Sequence, residues 1–297
     1  MMFVYSPDYF ADIGQHVFPI AKYRLLYDEL VRMGHLADSN LARPEPATRE
    51  QVLQVHTKDY LADLEHLRRT SRTIYSELPL TAEIVRMSYL NAGGTICAAR
   101  LALEHGAAVH IGGGFHHAFA DRAEGFCYLN DLAVAVREMQ GQQRMRRAMV
   151  IDCDLHQGNG TAKIFAGDPE VFTFSIHQWD LYPAKEKSDL DIHLPNGTGD
   201  REYLEHLDSH LPSAIAEFKP ELILYQAGAD PFEHDLLGDL QLTFAGLQQR
   251  DRFIYKLARQ YAIPMVVTLG GGYAVNTHDT VRIHYNTCVE AIAILGG

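Results

Sequence analysis

The sequence lacks any uninterrupted apolar run of about 18 residues, so nothing in it reads as a membrane-spanning helix. Its first 25 residues carry Asp8, Asp12, His16 and Lys22 where a secretory leader needs an apolar centre, which makes a cytoplasmic location the expectation. Cysteine is scarce. Cys97, Cys127, Cys153 and Cys288 show no paired spacing, and a 297-residue chain needs no disulfide staples, so all four are expected as reduced thiols, with Cys153 in the core. A basic face is missing too. The formal net charge is −12, and the one basic cluster, Arg144-Met-Arg-Arg147, precedes an apolar strand and reads as a solvated turn, which argues against nucleic-acid binding. The acid excess favours cationic substrates only slightly, since net charge does not locate the acids. No repeat, low-complexity tract or Pro/Ser-rich linker divides the chain, and one domain over residues 1–297 is expected. Oligomeric state leaves no trace in the sequence.

What is present is alternation. Strand-like runs at 3–5, 107–111, 148–152, 171–176, 222–226 and 265–269 interleave with helical patterns at 19–33, 81–104, 129–139, 202–218, 244–261 and 277–293. That order predicts an α/β fold with a central, mostly parallel sheet and helices on both faces. The long segments 36–50, 112–128, 177–201 and 227–241 would gather at one sheet edge and shape a pocket.

The chemistry concentrates at strand exits. In Ile151-Asp-Cys-Asp-Leu-His-Gln-Gly-Asn-Gly160, apolar residues alternate with Asp152, Asp154 and His156, so an extended backbone buries one face and offers two carboxylates and an imidazole on the other. Gly158 and Gly160 permit a sharp turn into a helix, which places the cluster at the end of a sheet strand. A second exit, Val109-His-Ile-Gly-Gly-Gly-Phe-His-His-Ala118, runs through three glycines to His116 and His117, a pair suited to acid/base work near neutral pH. Two further apolar runs end in Asp230 and in Gly270-Gly-Gly-Tyr273. Alone, Asp230 before Pro231 would read as a cap or turn residue. With Asp154 and His156 it completes three O/N donors, the set of a catalytic Zn²⁺ with one position left open. Such donors select weakly among metals, so Fe²⁺ or Co²⁺ could substitute. Tyr273, if exposed by its glycines rather than packed as a core phenol, could donate to a developing oxyanion.

The stretches GGGFHHA, GFCYLND, IDCDLHQGNG, YQAGAD and LGGGY, in this order over residues 112–273, resemble the histone deacetylase family, which includes acetylpolyamine amidohydrolases and acetoin-utilisation proteins. The segments starting at His16 (HVFPIAKY) and Val55 (VHTKDYL) extend the likeness over nearly the whole chain. Gln157-Gly-Asn-Gly, in place of the commoner His-Gly-Asp-Gly, resembles the class IV branch.

The resemblance implies an arginase/deacetylase-like fold, with Asp154, His156 and Asp230 as zinc ligands, Tyr273 as oxyanion donor and His116 and His117 as the histidine dyad. Asp152 then supports His116, while Asn159 replaces the second supporting carboxylate; an amide orients an imidazole without stabilising its cation, so the proton affinity of His117 should be low. Gly125, Phe126 and Tyr182 match the substrate tunnel, and Asp152 and Ser175 match a structural K⁺ or Na⁺ site. Lys22 falls where relatives carry an arginine near an internal product channel, although it lacks the planar fork. The implied activity is zinc-dependent removal of acetyl or longer fatty-acyl groups from the ε-amine of lysine, with long chains favoured in the class IV branch. The alternative substrate is an acetylpolyamine or small acyl-amine. A di-metal ureohydrolase would need bridging carboxylates where this chain has Asn159 and the His-His pair. A non-catalytic binding protein of the same fold would have lost a ligand or donor, yet every such position is filled.

Overall fold

A computed structural model describes residues 1–296. Among these, eight strands form one sheet: β1 (Met2–Val4), β2 (Leu41–Ala42), β3 (Ala107–His110), β4 (Ala148–Asp152), β5 (Val171–Gln178), β6 (Leu190–Leu194), β7 (Leu222–Gln226) and β8 (Met265–Thr268). Their order is β2-β1-β3-β8-β7-β4-β5-β6, and every neighbouring pair is parallel. The fold is therefore the expected α/β architecture. The helices are α1 (Lys22–Arg32), α2 (Arg49–Val52), α3 (Lys58–Glu65), α4 (Ala82–His105), α5 (Asp131–Gly141), α6 (Asn159–Ile164), α7 (Asp200–Phe218), α8 (Phe244–Gln260) and α9 (Thr277–Leu295). Helix α4 packs on α5, and α9 on α1 and α8, while α4 and α9 both lie on β3, so two helical layers cover the two faces.

That double cover explains the apolar runs. Strands β3, β4, β7 and β8 are buried along their whole lengths, and each fully buried Val, Ile or Leu contributes about 1.5–3 kcal/mol. The helices start where side chains can cap them. Thr81 accepts from the Ile84 N–H at α4, and Asn130 from the Ala133 N–H at α5, so α5 begins two residues later than periodicity alone predicts. Likewise α1 begins at Lys22, because residues 19–21 form a turn in which the Lys22 N–H bonds the Pro19 carbonyl. Strands β2 and β6 and helices α2 and α3 lie outside the expected elements. They are short, and β2 and β6 are edge strands that bury little, which weakens their pattern.

Parallel pairing aligns the strand ends that matter. His110, Thr268, Gln226, Asp152 and Ser175 form one register row across β3, β8, β7, β4 and β5. The loops that follow this row open at the same edge of the sheet, where α/β sheets place ligands. The fully buried Arg250 of α8 ties two of them together: it pairs with Asp251 at 2.8 Å and donates to the carbonyls of Cys153 (3.2 Å) and Gly228 (2.7 Å).

Candidate active site

Asp154 and His156 lie in the loop after β4, and Asp230 in the loop after β7. All three are buried, and one donor atom from each lies within 4.8 Å of the others. His156 Nδ1 is 3.2 Å from Asp154 Oδ1 and 3.3 Å from Asp230 Oδ2. The loop folds back on its own ligands: Asp154 Oδ1 accepts from the His156 N–H at 2.9 Å, and Asp230 Oδ1 from the Leu155 N–H at 3.0 Å. Gly271, at φ +59°, passes so close that a Cβ there would stand 2.5 Å from Asp154 Oδ2 and 2.6 Å from Asp230 Oδ1.

The cluster fits a cation. Asp230 Oδ2 is buried without a hydrogen bond although it faces an imidazole nitrogen, an arrangement that is costly unless a positive charge sits between the donors. Burial and the neighbouring Asp154 charge push the Asp230 carboxyl up to about 6. Burial opposes charge on His156, but its contact with Asp154 and the nearby Asp230 carboxylate outweigh it and push the imidazole up to about 10. One nitrogen and two oxygen donors suit a divalent ion.

Beside this cluster lie the two histidines delivered by the triple-glycine exit of β3, their rings 4.1 Å apart. Both are buried. His116 Nδ1 bonds Asp152 Oδ2 at 2.6 Å, and its Nε2 is 3.8 Å from Asp154 Oδ1. His117 Nδ1 bonds Asn159 Oδ1 at 2.8 Å. Their electrostatics diverge. Burial disfavours the charged form of His116, but Asp152 and Asp154 overcome it and raise the group to about 9. For His117 burial dominates, the neighbouring His116 and His156 rings add to it, and the imidazole is held well below its ordinary value. The two adjacent rings are thus pushed in opposite directions, His116 toward holding a proton and His117 toward the neutral form.

Tyr273 closes the opposite side. It is 9% exposed, and its ring centroid lies 5.9 Å from Phe126 and 6.5 Å from His156. Burial, then the charges of Asp230 and Asp154, keep its phenol protonated and able to donate. A cavity of about 190 Å³ leads down to these groups, walled by Gly125, Phe126, Leu181, Tyr182 and Leu237, with Glu77 at the mouth. Gly125, at φ +49°, is where the wall comes nearest: a Cβ there would lie 2.6 Å from the His117 ring and 2.8 Å from the Tyr182 hydroxyl. Behind the ligands a second space, lined by Phe18, Tyr23 and the glycines at 113–114 and 270–271, measures about 20 Å³.

The family model for the histone deacetylase domain matches residues 16–288. The chain belongs to the histone deacetylase family. It is 41% identical over 284 residues to an uncharacterised protein of Picosynechococcus sp., covering 95% of both chains. It is 33% identical over 269 residues to histone deacetylase 2 of Arabidopsis thaliana, covering 87% of this chain and 70% of the relative. The acetoin utilization protein AcuC of Bacillus subtilis is 32% identical over 298 residues, covering 91% and 76%. A solved structure of a histone deacetylase homolog complexed with SAHA superposes with a TM-score of 0.86 at 26% identity, covering 100% of this chain and 84% of the other. The chain is a hydrolase of the deacetylase family.

Other expected positions of this histone deacetylase domain fall as follows. Asp152 and Ser175 are register partners on β4 and β5, with Ser175 Oγ bonded to His177 Nδ1 at 2.9 Å. Lys22 is buried below the ligands, donates to the Gly271 carbonyl, and lies over the rings of Phe18 and Tyr23. Burial lowers it to about 8 against the pull of Asp230 and Asp154.

Three supporting residues carry roles that the sequence alone does not assign, although Asp131 and Gln226 lie within the stretches GFCYLND and YQAGAD. Asp131 accepts from the Gly114 and Phe115 N–H groups at 3.0 and 2.7 Å and fixes the glycine exit that carries the dyad. Gln226 donates to the Gly114 carbonyl at 3.0 Å and accepts from Thr268 Oγ1 at 2.7 Å, locking three strand ends together. Asp235 accepts from the Tyr273 N–H at 2.7 Å and sets the loop that presents the phenol. For Asp131 the sequence held a signal, a carboxylate one position after a capping Asn; for Asp235 it held none.

Proposed function

We propose that the chain is a zinc-dependent amidohydrolase that removes acetyl groups from the ε-amine of lysine side chains. The observation that carries this reading is the buried donor set Asp154, His156 and Asp230 at the foot of a largely apolar cavity, flanked by an imidazole held toward its neutral form and a protonated phenol. When bound there, Zn²⁺ supplies Lewis acidity that polarises an acyl carbonyl and acidifies water.

The chain's own groups do the rest. His117 takes a proton from the attacking water at Nε2, since Nδ1 is engaged by Asn159. Tyr273 donates to the oxygen that gains negative charge, and His116, anchored at Nδ1 by the Asp152 carboxylate, turns its Nε2 toward the reacting water and the metal cluster. His117 then returns its proton to the amine as the C–N bond breaks, leaving a carboxylate and a free amine. Phe126, Tyr182 and Leu237 replace water around the lysine methylenes. Asp152 and Ser175 are further assigned to a structural K⁺ or Na⁺ that would stiffen the β4–β5 end, supported by their adjacency in register.

The acyl group would sit beyond the ligands, where about 20 Å³ holds roughly one water. That space supports acetyl over a long fatty-acyl chain and runs against the chain-length preference implied by the class IV resemblance. An acetylpolyamine is the second reading, because exposed Glu77 at the mouth would attract a distal ammonium. The test is kcat/KM of the zinc-loaded protein for acetyl, octanoyl and myristoyl forms of one lysine peptide, and for acetylated polyamines. Acetyl-lysine peptide should lead; a myristoyl preference would refute the acyl assignment, and a polyamine preference the lysine assignment.

A further inference from the structure

Asn159 does not end the chain of contacts behind His117. Its Nδ2 donates to Glu124 Oε1 at 2.7 Å, and its Oδ1 accepts from the Gly160 N–H at 3.0 Å while facing His117 Nδ1 at 2.8 Å. Asn159 is 1% exposed, and the Glu124 side chain, one residue before the tunnel glycine Gly125, is 17% exposed. Glu124 is held in place by a tight reciprocal pair: its N–H bonds the Cys127 carbonyl at 3.1 Å, and the Cys127 N–H bonds its carbonyl at 2.9 Å. Its other oxygen lies 3.5 Å from Arg122 Nε, a longer contact at the surface and one that counts for little.

The proton inventory of these groups fixes their orientation. A glutamate carboxylate offers acceptors only, so it must face the amide NH₂, which turns Oδ1 toward His117. A flipped amide would set its NH₂ against the Gly160 N–H and its oxygen against the carboxylate, two mismatches at once. With an acceptor at 2.8 Å, His117 Nδ1 carries the hydrogen, and Nε2 is left with the lone pair. We propose that Glu124 is a positioning residue: through the Asn159 amide it holds His117 in the Nδ1–H tautomer that exposes a basic Nε2. This rests on the amide-hydrolysis reading for its catalytic meaning, but the orientation itself does not. Glu124 thus orients the amide from its far side, by an acceptor that faces only the NH₂.

The test uses the full zinc-loaded chain in four variants, Glu124→Leu, Glu124→Gln, Asn159→Asp and the double Asn159→Asp/Glu124→Gln. Kinetics and the ¹⁵N shifts of the His117 ring are read together, the ring being assigned by its loss in His117→Gln. Glu124→Gln keeps an acceptor toward the amide and should stay within about twofold of the parent, whereas Glu124→Leu should lower kcat roughly three- to tenfold with KM nearly constant and yield mixed tautomers. Asn159→Asp sets two carboxylates against each other and should cost about tenfold or more in kcat; adding Glu124→Gln restores a donor and should recover most of that loss. A chain that hydrolyses no acyl-lysine but whose tautomer depends on residue 124 would remove the hydrolysis reading and leave this inference standing. An unchanged single tautomer in Glu124→Leu, or independent multiplication of the Asn159→Asp and Glu124→Gln effects, overturns it.

Discussion

The floor of the pocket and its mouth are made from different parts of the fold. The floor consists of strand exits: Asp154, His156 and Asp230 behind β4 and β7, the dyad behind β3 and Tyr273 behind β8, all nine-tenths or more buried. They are held by main-chain or carboxylate hydrogen bonds, or for His117 by the Asn159 amide, and by the register row beneath. The mouth is loop: Glu77 is exposed, Tyr182 is 43% exposed, and Leu181 and Leu237 are only partly covered. Chemistry is therefore anchored to the sheet, and selectivity is carried by segments that the sheet does not constrain. Substitutions in the two regions should differ in kind as well as in size.

The largest effects belong to the floor. Asp154→Ala or Asp230→Ala removes one of three donors and should abolish detectable turnover together with zinc in the purified protein, read by elemental analysis. A variant that keeps its zinc but loses turnover would detach these residues from the metal. Next comes Tyr273→Phe, which deletes one hydroxyl and little volume; kcat should fall roughly 10²–10³ while zinc stays bound. Near-normal turnover would make Tyr273 a packing residue and move the oxyanion role elsewhere.

The mouth should answer differently. Tyr182→Ala or Leu237→Ala removes apolar wall, so peptide substrates should lose about tenfold in kcat/KM, mostly through KM. If kcat fell instead, the wall would belong with the chemistry and the division would fail. The smallest effect is on stability. Stripping the metal leaves Asp154 and Asp230 facing each other in the buried floor, and Tm should drop by about 10 °C, the scale of losing a ligand held at ~1,000 Kd. Leu237→Ala should leave that difference unchanged.

The same division separates what sequence reasoning reached from what it did not. Asp152, Asp154 and His156 were legible because period-two alternation in an apolar strand, followed by glycines, can present side chains only one way. The parallel α/β fold was legible for a related reason: strands covered on both faces must be apolar throughout. Glu124 and Asp235 were not, because each acts by a contact across loops, Glu124 to Asn159 and Asp235 to the Tyr273 backbone, and nothing local in the chain marks such a pairing. The width of the space behind the ligands was hidden for the same reason; glycines at 113–114 and 270–271 promise room, yet Phe18, Tyr23 and Phe115 fill it. Even the low proton affinity expected for His117 from Asn159 has another leading cause, since burial and the adjacent rings outweigh the amide.

The central claim is that one divalent ion, held by Asp154, His156 and Asp230, makes this floor an amide hydrolase. Its most direct test is to strip the protein of metal and titrate Zn²⁺ back while following hydrolysis of an acetyl-lysine peptide. Activity should start at background, rise linearly and break at one equivalent per chain. Full activity in the stripped protein, or a break at two equivalents, would contradict it.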